Sequence, residues 1–194
     1  QRLVGSGAAS PGQVRAAAFI CFGVAALAGL ALVVLTGRPW LVALGLACIV
    51  AAWFYTGGRH PYGYLGLGEV FVFVFFGLVA TVGTRYVMSL DVDAATWVVA
   101  CATGSLSCAV LVCNNLRDIS TDVNSGKRTL ATRLGDRGTR IFYVALCAIA
   151  VVGVVVTAAL TTWWALLGLA MVALLVGPVH AMMGGATGLP LVTT

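Results

Sequence analysis

Long stretches of this chain carry no charged side chain, and that constrains the fold more than any other feature. Uncharged runs extend over Ala16–Gly37, Pro39–Gly58, Val70–Thr84, Ala94–Leu116 and Ile141–Val179. A helix that crosses a lipid bilayer needs roughly 20 apolar residues. The first, second and fourth runs each fit one such helix, and the last fits two with a turn near Thr161–Thr162. The third run is short, so a full-length helix there takes in Glu69 or Arg85 near its ends. Its alternation from Val70 to Phe76 resembles a strand, but an open strand edge in lipid leaves backbone groups unpaired. The expectation is an all-α, multi-pass transmembrane helical bundle with about six spans.

Composition agrees. Charged residues make up 9% of the chain and the mean hydropathy is +1.05, whereas soluble domains carry about 25% charged residues. With six spans, one side of the membrane receives Arg2, Arg15, Arg59, Arg117, Lys127, Arg128, Arg133, Arg137 and Arg140, and the other only Arg38 and Arg85. Basic residues collect on the cytoplasmic side, so both chain ends and the loop Asn114–Arg140 are expected there. Topology thus accounts for the net charge of +5, and no nucleic-acid partner is implied. The cysteines Cys21, Cys48, Cys101, Cys108, Cys113 and Cys147 lie in or beside the spans without metal-ligand spacing, and read as small hydrophobes.

Three polar stretches are long enough to build a site: Gln1–Arg15, Gly57–Leu67 and Asn114–Arg140. The last contains Asn114, Asp118 and Asp122 at i, i+4 and i+8, which a helix stacks on one face. Carboxylates one turn apart repel, and more so near a membrane. A divalent cation removes that cost, and hard oxygens suit Mg²⁺, which shares its shell with substrate phosphates. Beyond the ladder come Lys127, Arg128 and Thr129. Thr129 is a good N-cap for a helix Leu130–Leu134 that stops at Gly135, so two cations sit beside a helix N-terminus, where free N–H groups favour anions. Metal on one side and cations on the other make a diphosphate cradle. The competing reading is an ordinary charged loop in which Asp118 pairs with Arg117.

The stretch from Tyr55 to Glu69 combines glycines, aromatic faces at Tyr62 and Tyr64, and Arg59, which can fork onto a phosphate. Glu69 falls at the edge of a span, where ionisable groups are costly and tend to be functional. Interfacial tyrosines without chemical duty are the alternative. His60 and His180 have no metal-ligand partners.

Taken together, Asn114-x-x-x-Asp118-x-x-x-Asp122 followed by Gly126-Lys-Arg-Thr-Leu resembles the second aspartate-rich motif of the UbiA superfamily of intramembrane aromatic prenyltransferases. Tyr55-x-x-x-Arg59 looks like that family's YxxxK element with Arg for Lys. The strings Tyr-Thr-Gly-Gly…Pro-Tyr-Gly-Tyr-x-Gly-Leu-Gly-Glu and Arg2-Leu-Val-x-Ser-Gly resemble the menaquinone-pathway branch, whose acceptor is 1,4-dihydroxy-2-naphthoate. The resemblance implies a nine-helix fold around a cavity, of which the six spans here match the third to eighth. It also implies that the first aspartate motif and the last helix lie outside residues 1–194, a single prenyltransferase domain shortened at both ends and not expected to turn over alone.

By that resemblance, a polyprenyl group passes from its diphosphate to dihydroxynaphthoate with loss of diphosphate and CO₂. Asn114, Asp118 and Asp122 hold Mg²⁺; Arg59, Lys127 and Arg128 bind the diphosphate; Glu69, Tyr62 or Tyr64 orients or deprotonates the acceptor. The location implied is the cell membrane with cytoplasmic site loops. Another acceptor branch, a transporter using Glu69 and Arg85, and a structural membrane subunit remain as alternatives at this point.

Overall fold

A computed structural model describes residues 4–57 and 61–186. All regular structure among these residues is helical. Helix α1 covers Pro11–Thr36 and α2 covers Trp40–Thr56. A single 3₁₀ turn at Tyr62–Tyr64 leads into α3, Gly68–Ser89. Then follow α4 at Ala94–Arg117, the short α5 at Ile119–Asn124, α6 at Leu130–Leu160, and α7 at Trp163–Met183. Helices α1, α3, α4, α6 and α7 are long and apolar enough to cross a membrane, and α2 is a shorter apolar helix. Large apolar side chains such as Ile20, Leu27, Val34 and Leu35 are left exposed, as a lipid-facing surface requires. The protein is membrane-embedded.

The chain divides into two compact units, Gln1–Trp53 and Phe54–Thr194. In the first, α1 begins at Ser10, whose Oγ accepts from the Gln13 amide while Gln13 Oε1 accepts from the Ser10 amide. This reciprocal cap satisfies two of the N–H groups a helix start leaves open. Phe19 and Trp53 lie with ring centroids 5.8 Å apart.

The second unit is built on α4 and α6, which share its most extensive contact. Cys108, Ala109, Val112 and Leu116 of α4 pack against Tyr143, Leu146 and Cys147 of α6, with Met182 of α7 closing the cluster. Lipid gives no hydrophobic drive for helices to associate, so close backbone approach through small residues matters more. Helices α3 and α4 cross that way. A Cβ added at Gly77 would stand 2.5 Å from the Gly104 Cα, and Thr81 Oγ1 hydrogen-bonds Thr103 Oγ1 at 2.9 Å beside the crossing. Around it, Phe73–Val79 widens into a π-helical turn. The Val-Phe alternation of this segment is therefore helical, and α3 takes in both Glu69 and Arg85.

The start of α6 meets one sequence expectation and corrects another. Thr129 caps a helix at Leu130, its Oγ1 accepting from the Thr132 amide, and that first helical segment ends at Gly135 as its spacing predicts. Gly135 leaves the helical path at φ 69° and ψ −179°, a conformation essentially limited to glycine. A second helical segment begins at once beyond it and runs to Leu160, so α6 is two helices joined at a kink. Thr139 Oγ1 bridges the break by donating to Gly135 O at 2.7 Å. Arg140 anchors the next turn, with Nε and Nη2 on the Asp136 carboxylate at 2.7 and 2.9 Å. The supposed loop beyond Gly135 is thus the start of a spanning helix.

Candidate functional site

The two polar stretches singled out above meet in the second unit. The Arg128 amide donates to Tyr64 O at 3.0 Å, and Arg133 Nη2 donates to Leu65 O at 2.8 Å. Gly66 lies between these bonds with φ 79°, and a Cβ there would come 2.9 Å from Arg128 O. The segment after Tyr62–Tyr64 is thereby clasped onto the start of α6. The clasp brings Lys127 Nζ to 4.7 Å from the Tyr64 ring centroid, within cation–π range.

The ladder keeps its helical repeat across the α4–α5 junction. Asp118 N bonds Asn114 O at 3.1 Å and Asp122 N bonds Asp118 O at 2.8 Å, so the three residues occupy successive turns although Asp118 itself leaves helical geometry. Their surroundings differ. Asn114 is half-buried. Asp118 receives Nε and Nη2 of Arg117 at 2.8 and 3.0 Å, the pairing that a solvated loop would also make. Asp122 is buried, and its Oδ1 lies 3.0 Å from Lys127 Nζ. The intervening turn is closed by Lys127 N on Asp122 O at 2.9 Å and by Ser125 Oγ on the same carbonyl at 3.1 Å. Among the described residues no three His, Cys, Asp or Glu side chains cluster; the ladder brings two carboxylates and one amide.

An open recess of about 450 Å³, with three cationic side chains in its lining, follows the ladder and is lined by Val123, Gly126, Lys127, Arg128, Thr132 and Arg133. Arg128 is exposed at its rim. Arg59 lies outside the described residues.

On the other side of the clasp, Tyr62 stacks on Phe71 with centroids 3.8 Å apart, and Tyr55 meets Tyr62 edge-on at 5.5 Å. Burial, reinforced by Tyr55, pushes the Tyr62 phenol above its ordinary value, so it stays protonated at physiological pH and can donate a hydrogen bond but not remove a proton. Glu69 opens α3 and is 5% exposed. Its Oε1 accepts from Asn115 Nδ2 at 2.9 Å, and its Oε2 is buried with no hydrogen-bond partner among the described residues.

Sequence reasoning did not single out Asn115, Arg133 or Arg140. Asn115 lies beside the ladder in sequence but off its face. Arg133 and Arg140 counted only as topological charge. Yet Arg140 is buried, and beyond Asp136 it donates to Met182 O at 2.6 Å and Ala186 O at 3.0 Å, satisfying carbonyls at the end of α7. Only an arginine at the very end of the Asn114–Arg140 loop, next to the uncharged run from Ile141, hints at such a tie, and nothing in the spacing names its partners.

A multi-pass helical membrane protein with an Asn-Asp-Asp ladder, tied through Asp122–Lys127 to a recess lined by cations, is the class that fold and site define. Residues 1–187 match the family model described as the UbiA prenyltransferase family, and the chain belongs to that family. It is similar to proteins named 1,4-dihydroxy-2-naphthoate octaprenyltransferase. That of Mycobacterium tuberculosis is 50% identical over 192 residues, covering 97% of this chain and 65% of the relative. That of Mycobacterium leprae is 54% identical over 164 residues, covering 84% and 55%. The Escherichia coli protein is 41% identical over 127 residues, covering 66% and 41%. The chain thus spans less than two thirds of the length of these relatives. No solved structure matches it.

Proposed function

We propose that the protein to which this chain belongs transfers a polyprenyl group from its diphosphate to 1,4-dihydroxy-2-naphthoate, releasing diphosphate and CO₂, in menaquinone biosynthesis. The relatives' names support the acceptor. The observation that carries the reaction type is the buried Asp122–Lys127 pair beside the recess, which sets acid and base side by side where a metal-bound diphosphate needs both.

The residues present fit Mg²⁺. Asn114, Asp118 and Asp122 offer hard oxygens on successive turns, without sulfur or imidazole. Each carboxylate oxygen has more than one lone pair, so the contacts to Arg117 and Lys127 leave acceptor sites open. Bound there, Mg²⁺ would neutralise oxygens of the donor's diphosphate and make it a better leaving group.

The chain's own residues do the rest. Lys127 and Arg128 face the charge that grows on the diphosphate as its bond to the allylic carbon breaks, and the motif resemblance assigns Arg59 to the same charge. Tyr64 holds Lys127 toward that position. Tyr62 and Phe71 form an apolar wall that keeps water from the allylic cation. Glu69 orients the aromatic acceptor, whose ring carbon forms the new bond before the carboxyl group leaves as CO₂. The ladder and recess face the cytoplasm of the cell membrane, where both substrates' polar ends are available.

The experiment is an assay of the complete protein with dihydroxynaphthoate, a polyprenyl diphosphate and Mg²⁺. Product should form, require the metal, and fall at least about 100-fold on Asp118→Ala, a loss on the scale of removing one transition-state charge stabiliser. Turnover that survives both the substitution and chelation contradicts the reading.

A further inference from the structure

Glu69 is built into the protein in an unusual way. It stands in the first turn of α3, where a carboxylate favours the helix dipole, but neither oxygen is used as a cap. Its backbone carbonyl takes the Cys108 thiol at 3.1 Å, which ties the start of α3 to the middle of α4. One carboxylate oxygen takes the Asn115 amide at 2.9 Å. The other is buried and unpartnered among the described residues. Such an oxygen carries its desolvation cost uncompensated, and native proteins rarely leave one so. An acceptor oxygen held fixed by its twin is open to a hydrogen-bond donor that arrives with a ligand. Tyr55 Oη lies close by, 3.7 Å from where a Cβ on Gly68 would stand, so the surroundings are not wholly apolar.

Asn115 also has a particular place on α4. It follows Asn114, the first rung of the ladder, and successive residues on a helix are turned by about 100°. One rigid turn therefore presents Asn114 toward the ladder face and Asn115 toward Glu69. The separation between the two faces is set by the helix backbone and not by any loop.

We propose that Asn115 is a positioning residue that locks the Glu69 carboxylate with Oε1 tied and Oε2 presented to a hydroxyl of the aromatic acceptor. The turn of α4 carrying both asparagines then fixes how far the acceptor ring stands from the donor's diphosphate. This rests on the prenyl-transfer reading above and names the groups that hold its second substrate. Asn115 touches neither substrate, so its removal should act on acceptor binding alone.

The test is steady-state kinetics on the complete protein in lipid nanodiscs, varying dihydroxynaphthoate and polyprenyl diphosphate separately. Asn115→Ala should raise KM for dihydroxynaphthoate about tenfold, the scale of one lost hydrogen bond to a charged group, and leave KM for the diphosphate unchanged. In a Glu69→Gln background the same substitution should have little further effect, because the two side chains act as a unit. If Asn115→Ala does not accumulate, Asn115→Asp, which keeps the shape and loses the donor, carries the comparison and should raise the acceptor KM at least as far. A rise of both KM values together, or additive losses in the double variant, overturns the proposal. A wild-type protein that prenylates no aromatic acceptor overturns the functional reading instead, so the two failures are distinguishable.

Discussion

The Asp122 carboxylate and the Lys127 ammonium close on each other across one turn, with Oδ1 and Nζ 3.0 Å apart and the Lys127 amide on the Asp122 carbonyl at 2.9 Å. The side chains are 7% and 19% exposed, so this is a largely buried pair. Taking one partner away leaves a charge that little solvent can reach.

Lys127→Met should therefore cost about 3 kcal/mol of stability, the low end for a broken buried pair because the lysine keeps some solvent. It should also raise KM for the polyprenyl diphosphate. Adding Mg²⁺ with inorganic diphosphate should recover part of the lost melting temperature, since cationic charge returns to Asp122. Thermal melts in nanodiscs with and without these ions check this, and a melting temperature indifferent to the substitution counts against the pair's role.

The clasp between the two polar stretches depends on Gly66. Gly66→Ala places a methyl group 2.9 Å from Arg128 O at φ 79°, and a left-handed conformation alone costs an L-residue about 1–2 kcal/mol. The expected result is a weaker grip on the diphosphate, seen as a higher donor KM, with dihydroxynaphthoate KM changed less.

At the α3–α4 crossing, two glycines face each other but should not tolerate change equally. A Cβ on Gly77 meets the backbone of Gly104 and Ala100 at 2.5 and 2.9 Å. A Cβ on Gly104 first meets the Phe73 ring at 2.9 Å, which can turn away. Overpacking typically costs about 1–3 kcal/mol, so Gly77→Ala should fall at or beyond that upper end and Gly104→Ala near the lower. Melting temperatures of the two variants check the order.

Asp93 caps α4 and accepts from the Thr96 hydroxyl at 2.7 Å and the Thr96 amide at 2.8 Å. These bonds, the Thr96 hydroxyl foremost, hold its carboxyl below the ordinary carboxylate value. A depressed folded value means that stability is fully present above the unfolded pKa and is lost as pH falls through the folded one. Melts should thus be flat from neutral pH down to the ordinary carboxylate range and drop below it. Asp93→Asn should lose the part of the drop that belongs to this side chain while keeping the cap.

Much of this was legible in the residues because lipid is a demanding solvent. The uncharged runs located the spans, including the break at Thr161–Thr162 that separates α6 from α7, since charge and length there admit few alternatives. The Asn114, Asp118 and Asp122 ladder was legible because helical periodicity is local, and the backbone bonds between them preserve it even where Asp118 departs from helical angles. What could not be read was contact between distant elements. The Tyr64–Arg128 and Leu65–Arg133 bonds, and the meeting of Asn115 with Glu69, depend on how α3, α4 and α6 pack. Gly135 ends the first helix as expected, but that a second helix follows at once, held by the Thr139 bridge and the Arg140–Asp136 pair, was not legible in the spacing.

The central claim is that the Asn114–Asp118–Asp122 ladder holds a divalent cation against the donor's diphosphate. The most direct measurement is anomalous scattering from Mn²⁺ in crystals of the complete protein grown with a non-reactive polyprenyl thiodiphosphate. A manganese peak should appear in contact with the Asp118 and Asp122 carboxylates and with phosphate oxygens, and be lost on Asp122→Ala. A metal–diphosphate site elsewhere, with the ladder carboxylates still paired only to Arg117 and Lys127, would contradict it.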